Sequence, residues 1–158
     1  MATATALELP PQERPTLRAV PLTHPAVELA RQIGPTLAEQ SAQRSSEDDF
    51  VATNFALLKQ AGLVEAGVPR ELGGGGAEIA ELSSMLRTIG SHCGSTGLAF
   101  AMHTHQVAIP AWRWQHQPAA KAAVQPLLQR IARERIILLS SGGSDWIGGS
   151  GKAEKVDG

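Results

Sequence analysis

The period of the apolar residues changes once along this chain, and that change constrains the fold more than any other feature. Up to about residue 134, apolar side chains recur three and four residues apart, the period of a helix. At Ile136-Ile137-Leu138-Leu139 they become contiguous, rich in β-branched residues and bounded by a Ser/Gly loop, which reads as a buried strand. The chain is therefore expected to be mainly α. A helical bundle domain covers residues 23–134, and residues 135–158 begin an incomplete β domain. Residues 1–22 carry Pro10, Pro11, Pro15 and Pro21 with no sustained period, and read as a flexible leader.

Helix boundaries follow from local chemistry. The first helix starts near Thr23 with Pro25 in its first turn, and Leu29, Ile33 and Leu37 form its stripe. Pro35 inside that stripe predicts a kink or a break. The second helix is announced by Ser45-Ser46 before Glu47-Asp48-Asp49, a capping hydroxyl followed by carboxylates at the positive end of the dipole. Phe50, Leu57, Leu58 and Ala61 form its apolar side, and Gly62 is its left-handed stop. A connector over residues 63–76 ends in Gly73-Gly74-Gly75-Gly76, which no helix interior would tolerate cheaply. The third helix places Ile79, Leu82, Met85, Leu86 and Ile89 on one face. The fourth runs from about Thr96 to Ile109, where Pro110 ends or bends it. Its small residues around Leu98, Ala99, Ala101 and Met102 mark it as the most buried helix. The fifth spans roughly residues 118–134, interrupted at Pro126, with Val124, Leu127, Leu128 and Ile131 on its apolar side.

Composition excludes several classes of function. Fourteen Lys and Arg against fifteen Asp and Glu leave a net charge of −1, with no electrostatic case for nucleic acid or an anionic membrane surface. Aromatic residues are 4% of the chain and Tyr is absent, so no stacking platform for single strands is expected. No apolar run is long enough to span a membrane, and the N-terminal residues lack the features of a signal peptide, which points to the cytoplasm. The single cysteine, Cys93, cannot support a disulfide framework or a multi-cysteine zinc site. It reads as a buried structural thiol at a helix junction.

No local motif for catalysis or metal binding survives inspection. Gly148-Gly149-Ser150-Gly151-Lys152 lacks the leading Gly and the trailing Ser or Thr of a phosphate loop, because Trp146 and Ala153 occupy those positions. His103 and His105, two apart, project from different helix faces and cannot chelate one ion together. Both read as hydrogen-bonded or exposed histidines, and no metal site is expected. Gly143-Ser144-Asp145 lacks the second flanking Gly of a nucleophile elbow. The Ser/Gly loop Ser140-Ser141-Gly142-Gly143-Ser144-Asp145 carries hydroxyls and backbone N–H groups that can hydrogen-bond a polar ring or an anion. Two strands are not stable alone, and Asp157-Gly158 is a hairpin signal with no returning strand. The chain is thus expected to stop inside a β domain of a longer protein.

The order of these pieces resembles the first portion of the acyl-CoA dehydrogenase family. It comprises the Val68-Pro69-Arg70-Glu71-Leu72-Gly73-Gly74 connector, then Leu82-Ser83-Ser84-Met85-Leu86, then Gly94-Ser95-Thr96-Gly97-Leu98-Ala99-Phe100-Ala101-Met102-His103. Pro126-Leu127-Leu128, Arg135 to Ser141 and Gly143-Ser144-Asp145 follow. The resemblance covers about residues 24–158. It implies an N-terminal helical domain, a middle β domain and a C-terminal helical domain, with FAD between the last two. It also implies removal of a proton alpha to a thioester and transfer of the beta hydride to flavin N5.

By the same resemblance, Leu139, Ser140, Ser141, Gly143 and Ser144 contact the cofactor, with Ser140 at the flavin-contacting hydroxyl position and Ser144 also near substrate. Helices three and four line an acyl pocket. The family's loop reads Leu-Thr-Glu-Pro-Gly-(small)-Gly-Ser-Asp. Here Glu is replaced by Ser141, the Pro is missing and the loop is two residues shorter. No catalytic residue is assigned, since the family's carboxylate base belongs to a C-terminal portion that this chain lacks, and the chain alone is expected to be inactive. The expected partner is an acyl-CoA or a similar small molecule, with a homo-oligomer for the full-length protein. Two alternatives stay open. One is a flavin-dependent monooxygenase of the same architecture, and the other is a stand-alone helical interaction module or non-catalytic remnant.

Overall fold

A computed structural model describes residues 24–43 and 52–139. The Ser45-Ser46 cap, Phe50, the leader and the segment from Ser140 onward lie outside those residues. Five helices carry the described chain: α1 (Pro25–Ala42), α2 (Ala52–Gln60), α3 (Ile79–His92), α4 (Gly94–His116) and α5 (Lys121–Glu134). Short 3-10 turns occupy Arg70–Leu72 and Pro118–Ala120. α3 lies between α1 and α4, α5 packs on the other side of α4, and α2 leans on α1. No described helix is long and apolar enough to cross a membrane.

The helix starts follow the capping logic of the sequence. Pro25 opens α1, and the His24 ring accepts a bond from the Ala26 N–H. α3 opens with a reciprocal capping box between Glu78 and Glu81. α2 ends in a Schellman arrangement: Leu63 N–H donates to Leu58 O, Gly62 N–H donates to Lys59 O, and Gly62 has φ +72°.

The prolines do less than expected. Pro35, Pro110 and Pro126 each sit inside an unbroken helix, so α4 continues to His116 rather than ending near Ile109. Each proline removes one backbone bond. The buried faces on either side, Ala30 and Leu37 in α1, Val107 and Ala111 in α4, Val124 and Leu128 in α5, hold the helix through it.

The core confirms most apolar stripes and shifts others by part of a turn. Leu37, Leu58, Met85, Ile89, Phe100, Leu128 and Ile131 are fully buried. Val27 and Ala30 carry more of the α1 face than Leu29 and Ile33, which are half-buried. Ile79 is 72% exposed, because it is the first residue of α3 and sits ahead of the packed turns. α4 does bury the most positions, but along Thr96, Gly97, Phe100, His103, Thr104, Val107 and Ala111, leaving Leu98 exposed.

The connector between α2 and α3 folds back on itself. Gly75 N–H donates to Glu65 O, Gly76 N–H to Val68 O and Ala77 N–H to Ala66 O. Here the glycine run has its reason: a Cβ on Gly74 would lie 2.3 Å from Val68 O. The segment expected to be a strand, Ile136 to Leu139, forms no strand among the described residues. A strand requires a ladder partner, and the residues that could supply one lie outside those described. Ile136, Ile137 and Leu138 instead pack half-buried against the helical core.

Candidate functional site

The chain leaves α5 through Arg135, in the left-handed region at φ 50°, and turns toward the N-terminal half of α4. Two interactions tie this exit to the connector that precedes α3. The Arg135 guanidinium donates to Glu65 Oε1 at 2.8 Å. His103, 1% exposed on α4, reaches both segments at once. Its Nδ1 accepts from the Leu138 N–H at 3.0 Å, so that nitrogen carries no proton. Its Nε2 therefore carries the ring proton and donates to Val64 O at 2.9 Å. Burial pushes the imidazole below the usual histidine pKa, and the bond to Val64 opposes this in part.

Ile137 and Leu139 border a shallow apolar cleft of about 400 Å³. Ala52, Phe55, Ala56 and Lys59 of α2, Ala99 of α4, and Ile137 and Leu139 form its walls. Phe55 is fixed edge-on against Phe100, with ring centroids 6.2 Å apart. Among the described residues neither Asp nor Glu lines the cleft, and Lys59 is the charged side chain on it. Such a surface can bind an apolar group, with a cation at its lip for an anionic one, but it offers no group to take a proton.

Of the sequence-predicted cofactor contacts, Leu139 lies on this cleft and is 84% exposed. Ser140, Ser141, Gly143 and Ser144 lie outside the described residues. α3, expected to line an acyl pocket with α4, does not reach this cleft. Its Ile79 and Leu82 face a second cleft of about 550 Å³ with Ile109, Trp112 and His116 of α4.

A buried polar cluster underlies the floor. Asn54, fully buried on α2, donates through Nδ2 to Thr96 Oγ1 at 2.8 Å, with Ser41 Oγ at 3.0 Å and Leu37 O at 3.2 Å. Thr96 and Ser41 hydroxyls in turn donate to Cys93 Sγ, at 3.1 and 2.9 Å. Cys93 is buried and caps α4, accepting weakly from the Thr96 N–H. Nothing in the local pattern announced Asn54. Its i, i+4 placement with Leu58 is the available signal, and a polar residue there reads as exposed.

The comparisons with known proteins agree with this architecture. The family model "Acyl-CoA dehydrogenase, N-terminal domain" matches residues 28–130. An L-prolyl-[peptidyl-carrier protein] dehydrogenase of Pseudomonas fluorescens is 35% identical over 81 residues, covering 50% of this chain and 21% of that protein. An L-evernosamine nitrososynthase of a Micromonospora species is 27% identical over 114 residues, covering 71% of this chain and 27% of its own. The chain thus spans about a quarter or less of the length of these curated relatives. No solved structure matches. With the family model spanning the helices from α1 into α5, the chain belongs to the acyl-CoA dehydrogenase family, through its N-terminal helical domain.

Proposed function

We propose that the chain is the N-terminal part of an FAD-dependent oxidoreductase that dehydrogenates an acyl thioester across its α and β carbons. The family match carries this reading. The cleft is consistent with it, because it is apolar and contains Leu139, at the head of the loop assigned to the cofactor. Phe55, Ala56, Ala99 and Ile137 would exclude water from the acyl part of the substrate, and the Lys59 ammonium would hold an anionic group at the lip. FAD, when bound, supplies the hydride acceptor, and Ser140, Ser141, Gly143 and Ser144 would hold it. No described carboxylate lines the cleft, and on this reading the base that takes the α proton comes from outside the described residues, with the 158-residue chain alone inactive. The acceptable substrates include carrier-protein thioesters as well as acyl-CoA, given the relative that acts on a carrier-bound prolyl group.

The nitrososynthase relative, which aligns with more of the chain, favours a second reading: a flavin-dependent monooxygenase acting on a nitrogen substrate. Protein expressed from its complete reading frame decides between them. The dehydrogenase reading expects bound oxidised flavin that bleaches anaerobically on adding an acyl thioester. Oxygen uptake that requires reduced flavin, with no bleaching by any thioester, selects the monooxygenase. A protein that binds no flavin overturns both.

A further inference from the structure

Exposed apolar surface is unevenly spread over the described residues. Six large apolar side chains are exposed, and three of them, Ile79, Ile109 and Trp112, meet at the second cleft, between α3 and the C-terminal half of α4. A lone exposed apolar residue needs no explanation, but a concave cluster of them marks a binding surface. The cleft holds about 550 Å³, within the range of small-ligand sites. Small residues keep it open. Ala77 and Ala111 are buried in its lining beside Leu82, and a Cβ on Gly67 would lie 3.1 Å from Leu82 Cδ1. One wall is held in place by its own helix. The His116 ring stacks on the Trp112 indole with centroids 4.9 Å apart, and its Nδ1 donates to Trp112 O at 2.9 Å.

Charge decides what such a cleft prefers. Among the described residues Glu78 brings a carboxylate to it, and no Lys or Arg lines it. Arg70, whose stem lies against Gly76, opens instead on a separate pocket with His24 and Gly75. Arg113 follows Trp112 in sequence but bonds to Gln117 at 3.2 Å and does not line the cleft. The neutral His116 ring offers Nε2 as an acceptor, because Nδ1 holds the proton. A carboxylate, an indole wall and a ring lone pair all favour a cation and disfavour an anion.

We propose that the α3–α4 cleft binds a small organic cation: an amine with an apolar body, its ammonium toward Glu78 and Trp112 and its body over Leu82 and Ala111. The site shares no residue with the cleft beside Leu139, so it does not rest on the flavin reading. The two clefts carry opposite charges, Lys59 on one and Glu78 on the other, and so sort anionic ligands from cationic ones.

Three probes of similar shape separate charge from apolar contact: phenylbutylamine, phenylbutanol and phenylbutyrate, titrated calorimetrically at pH 8 into the complete protein. The amine is expected to bind about tenfold tighter than the alcohol, with the acid weakest. Glu78→Gln keeps an oxygen to cap α3 and is expected to bring the amine within about threefold of the alcohol. Trp112→Leu keeps an apolar wall and should narrow the same ratio. Glu81→Gln, the other half of the capping box and outside the cleft, should leave the ratio at its wild-type value. Equal affinity for amine and alcohol in wild type, or tightest binding of the acid, overturns the proposal. So does a preference that survives Glu78→Gln, or one lost equally in Glu81→Gln, because the recognising charge then lies elsewhere. Failure of all three probes to bind means that the cleft is covered in the complete protein, and the proposal fails. Should Glu78→Gln not fold, an unchanged ratio in Trp112→Leu is enough to overturn it.

Discussion

Asn54 on α2 and Thr96 in the first turn of α4 meet at 2.8 Å with no exposure on either side chain. The Asn54 amide shares its donors among three acceptors, while its buried Oδ1 has no partner among the described residues. A satisfied half and an unsatisfied half on one side chain predict a graded series. Thr96→Val keeps the shape and leaves Asn54 two acceptors, so it costs about 1 kcal/mol. Asn54→Ala loses the bonds and opens a cavity, about 2–3 kcal/mol. Asn54→Asp puts a carboxylate among the neutral partners Leu37 O, Ser41 and Thr96 and costs more than either, about 3–5 kcal/mol. Urea unfolding of the three variants gives the order. An Asp variant as stable as the Val variant would show that the site is open to water.

Two glycines at helix crossings look equivalent in sequence and are not. A Cβ on Gly97 would lie 2.6 Å from the Cα of Gly90, so α3 and α4 would have to separate. Gly97→Ala is therefore expected to cost about 1–3 kcal/mol of overpacking, more than the roughly 1 kcal/mol gained in helix propensity. A Cβ on Gly34 would meet the ring of His92 at 2.3 Å, but His92 is the exposed last residue of α3 and its ring can swing away. Gly34→Ala is expected to be neutral or stabilising by up to about 1 kcal/mol. The melting temperature should fall for Gly97→Ala and hold or rise for Gly34→Ala, and a loss in both would contradict the side-chain account of Gly34.

These contrasts show what was legible in the sequence. Spacing alone located the helices, because each buries a stripe, and Leu82, Met85 and Ile89 or Val124, Leu128 and Ile131 announce theirs. The prolines misled because one missing bond is small beside a buried face. Pro110 has Val107 and Ala111 in the core around it. Asn54 was illegible because a polar residue gives no periodic signal, and its burial depends on Thr96, 42 positions away. His103 was readable as hydrogen-bonded, but its two partners, 39 and 35 residues distant, come from tertiary structure alone. Of the cofactor contacts, Leu139 can be placed on a cleft, whereas Ser140, Ser141, Gly143 and Ser144 fall outside the described residues.

Arg135 combines an uncomfortable backbone with a favourable side chain. Its φ of 50° costs a non-glycine residue about 1–2 kcal/mol, while an ion pair half-exposed at the arginine returns about 0–1 kcal/mol. Arg135→Gly should therefore be at least as stable as wild type. Arg135→Ala, which loses the pair and keeps the backbone cost, should lose up to about 1 kcal/mol. A glycine variant weaker than wild type would mean that the Glu65 contact outweighs the backbone cost.

His103 also makes stability depend on pH. Its folded pKa lies below the unfolded value, so the unfolded chain takes up the proton first. The contribution is complete above the unfolded pKa of about 6.5 and is lost as pH falls from there toward the folded pKa, by at most about 1.4 kcal/mol per pH unit. Protonating Nδ1 would also replace the acceptor facing Leu138 with a donor. Glu65 and Arg135, on the two segments His103 bridges, pair with each other and partly cancel at the ring. Urea midpoints of wild type between pH 8 and 5 should fall more than those of His103→Asn. Parallel curves would mean the ring titrates alike in both states.

The cleft beside Leu139 can be tested by filling it. Ala99 is half-buried on α4, packs against the core and lines the cleft with Phe55 and Ile137. Ala99→Phe is expected to put its ring into the cleft, and circular dichroism and a melting temperature near wild type would show that the helices keep their packing. If the cleft takes the acyl part of a thioester, the complete flavoprotein should keep its bound flavin and its kcat for the shortest substrate. Its KM for longer acyl chains should rise by an order of 10–100-fold, since each lost apolar contact weakens binding by about 1–3 kcal/mol. Filling the second cleft with Ala108→Phe, on the same helix, is the control, because that cleft opens beside Trp112 and Ile79 and does not include Leu139. A KM that rises for Ala108→Phe and not for Ala99→Phe would move the acyl site to the α3–α4 cleft. It would also detach substrate binding from the segment that His103 holds.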